Sequence, residues 1–239
     1  MQECFQRTAL LLGENALDRL ADVHICVIGL GGVGSYVAEA LARSGVGQLT
    51  LVDDDTVNLT NCNRQLCALH STVGRAKAEV VAERVRDINP VCRVTPLHLR
   101  YRGTELQLTD YDYIADAIDS LVDKLTLIEN AAKSAVPILS CMGTGNKLDA
   151  TQLRTADIDK TFGCPLAKRV RLGLRQRGIS RLQVVFSPEL PKKPDPTEKT
   201  VGSVPWVPSA AGLLMAATIV QNLLADRRVI PKYRIKEQE

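Results

Sequence analysis

Two rhythms of apolar and polar positions alternate over the first 145 residues. Ile25-Cys-Val-Ile28 is a short apolar run that stops at Gly29, the pattern of a parallel strand buried on both faces. Val33, Val37, Ala40 and Leu41 then recur at helical spacing until Ser44-Gly45. Leu49 to Val52 reads as a second strand, and a helix follows from about Arg75 to Ile88, stopped by Asn89-Pro90. Further strands are expected near Arg93 to Leu97, at Tyr113 to Ile118 and at Ile138 to Cys141, with a helix from about Leu121 to Ala135 between the last two. Strands alternating with helices of this length predict crossover units, hence an α/β fold with a doubly wound, Rossmann-like sheet.

After Gly143 the pattern changes. Gly145 to Arg154 is expected to be extended or a hairpin, Pro165 to Arg177 a helix with Ala167, Val170 and Leu174 on one face, and Gln183 to Ser187 one more strand. Residues 188–208 hold six of the eleven prolines and should form a loop. A last helix, Ser209 to Ala225, is apolar on most sides and belongs in the core or a dimer interface. The expectation is a single domain over residues 1–239: a core to about residue 145, then a C-terminal extension of a basic helix, a strand, a proline-rich loop and a final helix.

Composition narrows the class. With 239 residues, 45% apolar and 24% charged, the chain is long and apolar enough for a full core and is no disordered or collagen-like sequence. The stretch Ser209 to Ala225 is read as too short and too polar to span a membrane, since it carries Ser209, Thr218, Gln221 and Asn222. The opening Met-Gln-Glu-Cys-Phe-Gln-Arg lacks the order of a signal peptide. Seven cysteines without a CxxC pair suggest reduced thiols in a cytoplasm. Aromatic content of 4% argues against an RNA-binding module built from stacking platforms. The net charge of +3 hides an asymmetry: residues 1–150 hold 14 Lys/Arg against 19 Asp/Glu, whereas residues 151–239 hold 16 against 8. An acidic front and a cationic rear imply two tasks, the second facing a large anion.

The chemistry-bearing motifs lie at strand ends. Gly29-Leu-Gly31-Gly32-Val-Gly34 joins a strand to a helix, a turn that lets backbone N–H groups approach a phosphate at a helix N-terminus. Asp53 ends the next strand, where a carboxylate accepts hydrogen bonds from ribose hydroxyls. To this point the pattern suits a NAD-dependent dehydrogenase. The next residues oppose it. Asn61-Cys-Asn63-Arg64-Gln65 and then Lys77 add two cations at the same sheet edge, which suits a triphosphate whose charge is being redistributed. Asp119-Ser120 ends a later strand and offers a carboxylate for Mg²⁺.

Downstream, Lys168, Arg169, Arg171, Arg175, Arg177 and Arg181 occur with no Asp or Glu from Phe162 to Pro188. Lys168, Arg171 and Arg175 share helical spacing and would make a ridge for nucleic-acid phosphates, extended by Lys192, Lys193 and Lys199. Cys164, with Cys141 second, is the candidate reactive thiol, although both are more simply read as small apolar residues. His24, His70 and His98 show no metal spacing and read as structural.

Taken in order, Gly29-Leu-Gly-Gly-Val-Gly-Ser35, Asp53, Asn61-x-x-Arg64-Gln65, Lys77 and Asp119-Ser120 resemble the ubiquitin-activating-enzyme-like (ThiF/MoeB) adenylation family over about residues 5 to 145. The resemblance implies ATP and Mg²⁺ as cofactors. It implies a nucleotide site of Gly29, Gly31, Gly32, Gly34, Asp53, Asn61 and Gln65, with Arg64, Lys77 and Asp119 acting on the phosphates and the metal. It also implies a homodimer in which Arg7, in Phe5-Gln-Arg7, reaches the partner's ATP. Phe5-Gln-Arg-Thr8, Met142-Gly-Thr-Gly-Asn-Lys147, Cys164-Pro-Leu-Ala167 and Gly202-Ser-Val-Pro-Trp-Val-Pro-Ser209 are similar to one branch, the tRNA threonylcarbamoyladenosine dehydratases. Within that branch, Cys4 stands where an Arg is common and Thr144 replaces a small residue. That branch cyclises N6-threonylcarbamoyladenosine in tRNA by ATP-dependent dehydration, which makes Lys168, Arg169, Arg171 and Arg175 the candidate tRNA contacts and leaves room for a sulfur-relay partner.

Two other readings compete. One is adenylation of the C-terminal carboxylate of a ubiquitin-like sulfur carrier, disfavoured by the missing CxxC pairs and the basic rear. The other is a non-catalytic dinucleotide sensor, which has no use for Arg64 and Lys77.

Overall fold

A computed structural model describes residues 3–192, 195, 197, 200–226 and 230–233. Two short helices open the chain, α1 (Gln6–Leu12) and α2 (Glu14–Ala21), where no element was expected. In α2 the buried residues are Leu17 and Leu20, three apart on one face. Then come β1 (His24–Ile28), α3 (Gly34–Arg43), β2 (Gln48–Val52), α4 (Lys77–Ile88), β3 (Arg93–Leu97), β4 (Tyr113–Asp116), α5 (Leu121–Lys133) and β5 (Ile138–Cys141). Each lies within a few residues of its expected place. The later elements are β6 (Arg154–Asp157), α6 (Pro165–Gln176), β7 (Ile179–Arg181), β8 (Gln183–Phe186), α7 (Trp206–Leu224) and β9 (Lys232–Tyr233).

One seven-stranded sheet runs in the order β3-β2-β1-β4-β5-β8-β6. All neighbours are parallel except β6, which runs antiparallel to β8. The chain therefore reverses its winding direction between β1 and β4, and the crevice beyond their carboxyl ends is where such folds bind ligands. Apolar clusters cover both faces, one built around Val27, Leu41, Leu51 and Ile219 and the other around Ile28, Ile114, Leu127 and Val184.

Beyond residue 145, β8 and β6 extend the same sheet. Two expectations change. The stretch 145–154 is no hairpin: a 3₁₀ turn at Ala150–Gln152 leads into β6. The last helix starts at Trp206, three residues early, because Pro208 falls in the first turn, where a missing N–H costs no helical bond. It thus reaches 19 residues, long and apolar enough to cross a membrane by length and composition. It is nevertheless packed in the protein, so closely that a β-carbon on Gly212 would stand 2.4 Å from the Val33 carbonyl oxygen of the turn into α3.

Candidate functional site

A cavity of 720 Å³ opens in that crevice, the size of a nucleotide-class ligand site. Its lining brings together Gly29, Gly31, Gly32, Asp53, Asn61, Arg64, Gln65, Lys77 and Asp119 from beyond the ends of three strands, β1, β2 and β4. Gly34 lies beneath it, and Arg7 stands exposed on α1, away from this lining.

The glycine turn is shaped by close approach. Gly29 has φ +88°, and a β-carbon there would sit 2.7 Å from the Ala117 carbonyl oxygen. A β-carbon on Gly34 would sit 1.7 Å from the Gly29 carbonyl oxygen, so α3 packs directly on its own turn. Gly34→Ala is therefore expected to destabilise the protein by at least the ~1–3 kcal/mol of an overpacked site. It should also erase the rise in melting temperature that ATP produces in the unaltered protein, which parallel thermal melts would show.

Asp53 is pinned from three sides. Its Oδ2 accepts the Leu30 N–H at 2.5 Å, its Oδ1 accepts the Asp55 N–H at 2.9 Å, and Lys77 Nζ lies 4.0 Å from Oδ1. Lys77 also donates to Asp55 Oδ2 at 2.7 Å. The placement of Lys77 follows from the backbone. It is the first residue of α4 and not the third of a helix starting at Arg75, and its N–H bonds to the Asp55 carbonyl at 3.0 Å. The acidic turn is thereby tied to the helix start, and the ammonium is folded under it with only 5% of the side chain exposed.

Burial raises the Asp53 pKa above the usual carboxylate range, partly offset by Lys77 and the two N–H donors. A raised folded-state value means that the ionised form weakens stability at neutral pH and that acidification relieves this. Nucleotide affinity has the opposite sign, because protonation removes an acceptor for ribose hydroxyls and a neighbour for Lys77. ATP affinity measured by calorimetry is thus expected to fall with decreasing pH, starting above the titration range of an ordinary aspartate, and Asp53→Asn should flatten that acid limb.

Arg64 packs over the turn, its Cγ 3.3 Å from where a β-carbon on Gly32 would lie. It donates to the Thr60 carbonyl at 3.1 Å and to Asn63 Oδ1 at 2.9 Å, contacts that aim the guanidinium without neutralising it. Asn61 Oδ1 accepts the Asn58 N–H at 3.0 Å, which leaves its amide N–H groups to donate. Gln65 is buried against the turn.

Several groups in and around the cavity were not anticipated. Arg100 forms a 2.7 Å ion pair with Asp123 on its wall. Val201 and Ser203 reach it from the proline-rich segment, which is held by the Gly202 N–H on Asn146 Oδ1 at 2.7 Å and by Asn63 Nδ2 on the Ser203 carbonyl at 3.0 Å. Below the floor, Lys124 Nζ donates to Asp116 Oδ2 at 2.7 Å and to Ser140 Oγ at 3.2 Å, with no exposure of either charged side chain. Asp116 Oδ1 accepts the Ile118 N–H at 3.0 Å and so fixes the turn that carries Asp119. Nothing in their local sequence marks Asp116 and Lys124 as a pair, since each looks like an ordinary residue of its element.

Asp119 itself is exposed and makes no hydrogen bond or ion pair among the described residues. Asp53 and Asp55 already face Lys77, whereas Asp119 and Asp54 lie in the field of Arg100 without a close ion pair among the described residues. Oxygen donors of this kind fit Mg²⁺.

The basic stretch is not uncompensated. Arg171 Nη1 turns inward to Thr161, bonding its carbonyl at 2.9 Å and its hydroxyl at 2.7 Å. Arg175 pairs with Asp159, Arg177 with Glu129 and Arg181 with Asp157, at 3.1, 3.0 and 3.7 Å. The expected ridge is thus broken at its middle, and its countercharges come from outside Phe162 to Pro188. Lys168 and Arg169 stay exposed with no ion pair among the described residues. Lys192 is exposed, and Lys193 and Lys199 lie outside the described residues. Cys164 is buried, and burial pushes the Cys141 thiol up to about 12, so Cys141 is a neutral wall residue near pH 7.

The ThiF family model matches residues 5–237. The tRNA threonylcarbamoyladenosine dehydratase of Bacillus subtilis (strain 168) is 44% identical, covering 93% of this chain and 95% of that protein. That of Escherichia coli (strain K12) is 47% identical over 77% of this chain and 73% of its own length. A crystal structure of E. coli tRNA N6-threonylcarbamoyladenosine dehydratase, TcdA, in complex with ATP matches with a TM-score of 0.86 at 39% identity, covering 94% of this chain and 95% of that one.

Proposed function

The chain belongs to the ThiF family, and from that premise we propose that it is an ATP-dependent tRNA threonylcarbamoyladenosine dehydratase. The observation that carries this reading is the single cavity in which Arg64, Lys77, Asp53 and Asp119 converge on the glycine turn. Such a site activates a carboxylate with ATP. A carboxylate is a poor electrophile because its leaving group would be oxide. Attack of the threonyl carboxylate on the α-phosphate forms an acyl-adenylate and releases pyrophosphate. A nucleophile within the same modified nucleoside then displaces AMP and closes the ring, and the oxygen formally lost as water leaves on AMP. Ring closure is intramolecular, so positioning suffices and no covalent enzyme intermediate is needed.

The residues divide the work by charge. The glycine turn and the start of α3 receive phosphate oxygens, Asp53 accepts from the ribose, and Asn61 donates to phosphate through its free amide. Arg64 and Lys77 stabilise negative charge as it shifts from the carboxylate to pyrophosphate. Mg²⁺, when held at Asp119, supplies further neutralisation of the triphosphate. In the proposed homodimer the partner's copy of Arg7 completes the set, which agrees with the exposure of Arg7 away from its own cavity. Lys168 and Arg169 are the cations left open for tRNA phosphates, with Arg175 at the edge and Arg171 shaping the turn before α6. The buried or half-buried thiols of Cys26, Cys62, Cys67, Cys92, Cys141 and Cys164 suit a reducing cytoplasm.

Mass spectrometry of tRNA incubated with protein and ATP tests the reading. The expected result is loss of one water from N6-threonylcarbamoyladenosine, with AMP formed in step. An unchanged tRNA mass, together with ATP–pyrophosphate exchange that requires a ubiquitin-like sulfur carrier, would replace it with carrier adenylation.

A further inference from the structure

We propose that Phe162 is a stacking platform for one nucleobase of the tRNA, with Lys168 and Arg169 holding the phosphates that flank it. The inference rests on the dehydratase reading and adds to it the side chain that would grip the RNA beside the cavity. Phe162 stands apart from the other two phenylalanines: Phe5 is 8% exposed and Phe186 2%, whereas Phe162 is 61% exposed. Its ring meets Phe186 edge-on with centroids 6.0 Å apart, a contact that holds it upright and leaves most of it open.

The backbone beneath the ring is rigidly placed. Gly163 has φ +72°, and a β-carbon there would lie 2.0 Å from the Pro188 carbonyl oxygen, so this turn is pressed onto the chain following β8. On the other side, Thr161 is held by the inward-turned Arg171 at 2.7 and 2.9 Å and donates from its own hydroxyl to the Ile158 carbonyl at 2.7 Å. Arg171 therefore shapes the platform instead of meeting RNA itself.

The platform adjoins the cavity. Leu166, in the first turn of α6, lines it, and Gly143 on the wall lies against Cys164 and Leu166. A tRNA that inserts one modified nucleoside must lead its neighbouring nucleotides over this rim. Drawing that nucleoside into the cavity breaks its stacking on its neighbours, and an exposed aromatic face replaces the lost stacking. Lys168 and Arg169 follow on α6, exposed and without an ion pair among the described residues, which gives the rim the charge that phosphates require. An apolar protein partner would gain nothing from those two cations.

Three measurements on Phe162→Ala and Phe162→Tyr test the proposal: the Kd for tRNA at fixed salt, the Kd for ATP, and the oligomeric state by sedimentation. Phe162→Ala is expected to weaken tRNA binding by about 5-fold or more, the lower end for one base–aromatic stack. ATP affinity and oligomeric state should stay unchanged, and Phe162→Tyr should restore tRNA binding. Unchanged tRNA affinity in Phe162→Ala, with the unaltered protein dehydrating tRNA, would overturn the platform alone. A shift in oligomeric state would overturn it in favour of a contact between copies of the chain. Failure of the unaltered protein to act on tRNA would instead remove the dehydratase reading on which the platform rests.

Discussion

Replacing Lys77 with alanine is expected to lower ATP-dependent AMP release by about 10²- to 10³-fold, the scale of losing one preorganised charge stabiliser from a water-poor site. The fold should survive. Asp53 keeps the Leu30 and Asp55 N–H donors, and Asp55, whose side chain is 67% exposed, can turn to water. The lost function is electrostatic: two carboxylates that faced an ammonium would instead face the triphosphate, so repulsion is added to the missing attraction. Lys77→Arg should rescue poorly, because a planar guanidinium does not fit where a compact ammonium is folded under the turn with 5% exposure. Chromatographic measurement of AMP, with circular dichroism to verify folding, decides the matter. Unchanged AMP release from folded Lys77→Ala protein would remove Lys77 from the site.

The second large effect concerns stability. Lys124→Met leaves the Asp116 carboxylate at zero exposure with only Ser140 Oγ and the Ile118 N–H as partners. Breaking a buried pair from one side costs about 3–5 kcal/mol, which for a protein of this size lowers Tm by roughly 10 °C. Asp116→Asn in the Lys124→Met background should recover part of the loss, since the uncompensated charge is gone while the carbonyl can still accept from Ile118. A double-mutant cycle in thermal or urea melts gives the coupling directly. A Lys124→Met protein as stable as the parent would mean that the pair contributes nothing net. Because Asp116 holds the turn that carries Asp119, Lys124→Met is also expected to raise the Mg²⁺ concentration needed for half-maximal turnover.

Much of this molecule can be read locally. A buried parallel strand needs only a short apolar run, so β1, β2, β4 and β5 were recognisable to within two residues at either end. The glycine turn is equally local, because Gly29 and Gly34 meet each other across five residues and the geometry they require is available to few other residue types. Two short polar strands of the second half were harder. In β6 the residues are Arg154-Thr-Ala-Asp157, polar and half open, and they form a strand only because β8 presents an edge to them. β7 likewise becomes a strand only through β9, some fifty residues away.

Charge was the property the sequence described least well. Lys168 to Arg181 looks like an unbroken cationic face, yet four of its six cations find partners, and Glu129 lies 48 residues from Arg177. Lys124 looks like a solvated helical lysine and is instead wholly buried on Asp116. Hydrophobic period, glycine turns and the spacing of strand-end carboxylates and cations act over a few residues, so the chain by itself determined the Rossmann-like core and most of the nucleotide cavity. Which charges are neutralised, which are left for tRNA, and what closes the cavity above Gly145 depend on segments far apart in the chain. Coulomb and hydrogen-bond energies fall off within a few ångströms of contact, and only the tertiary structure decided which groups come that close.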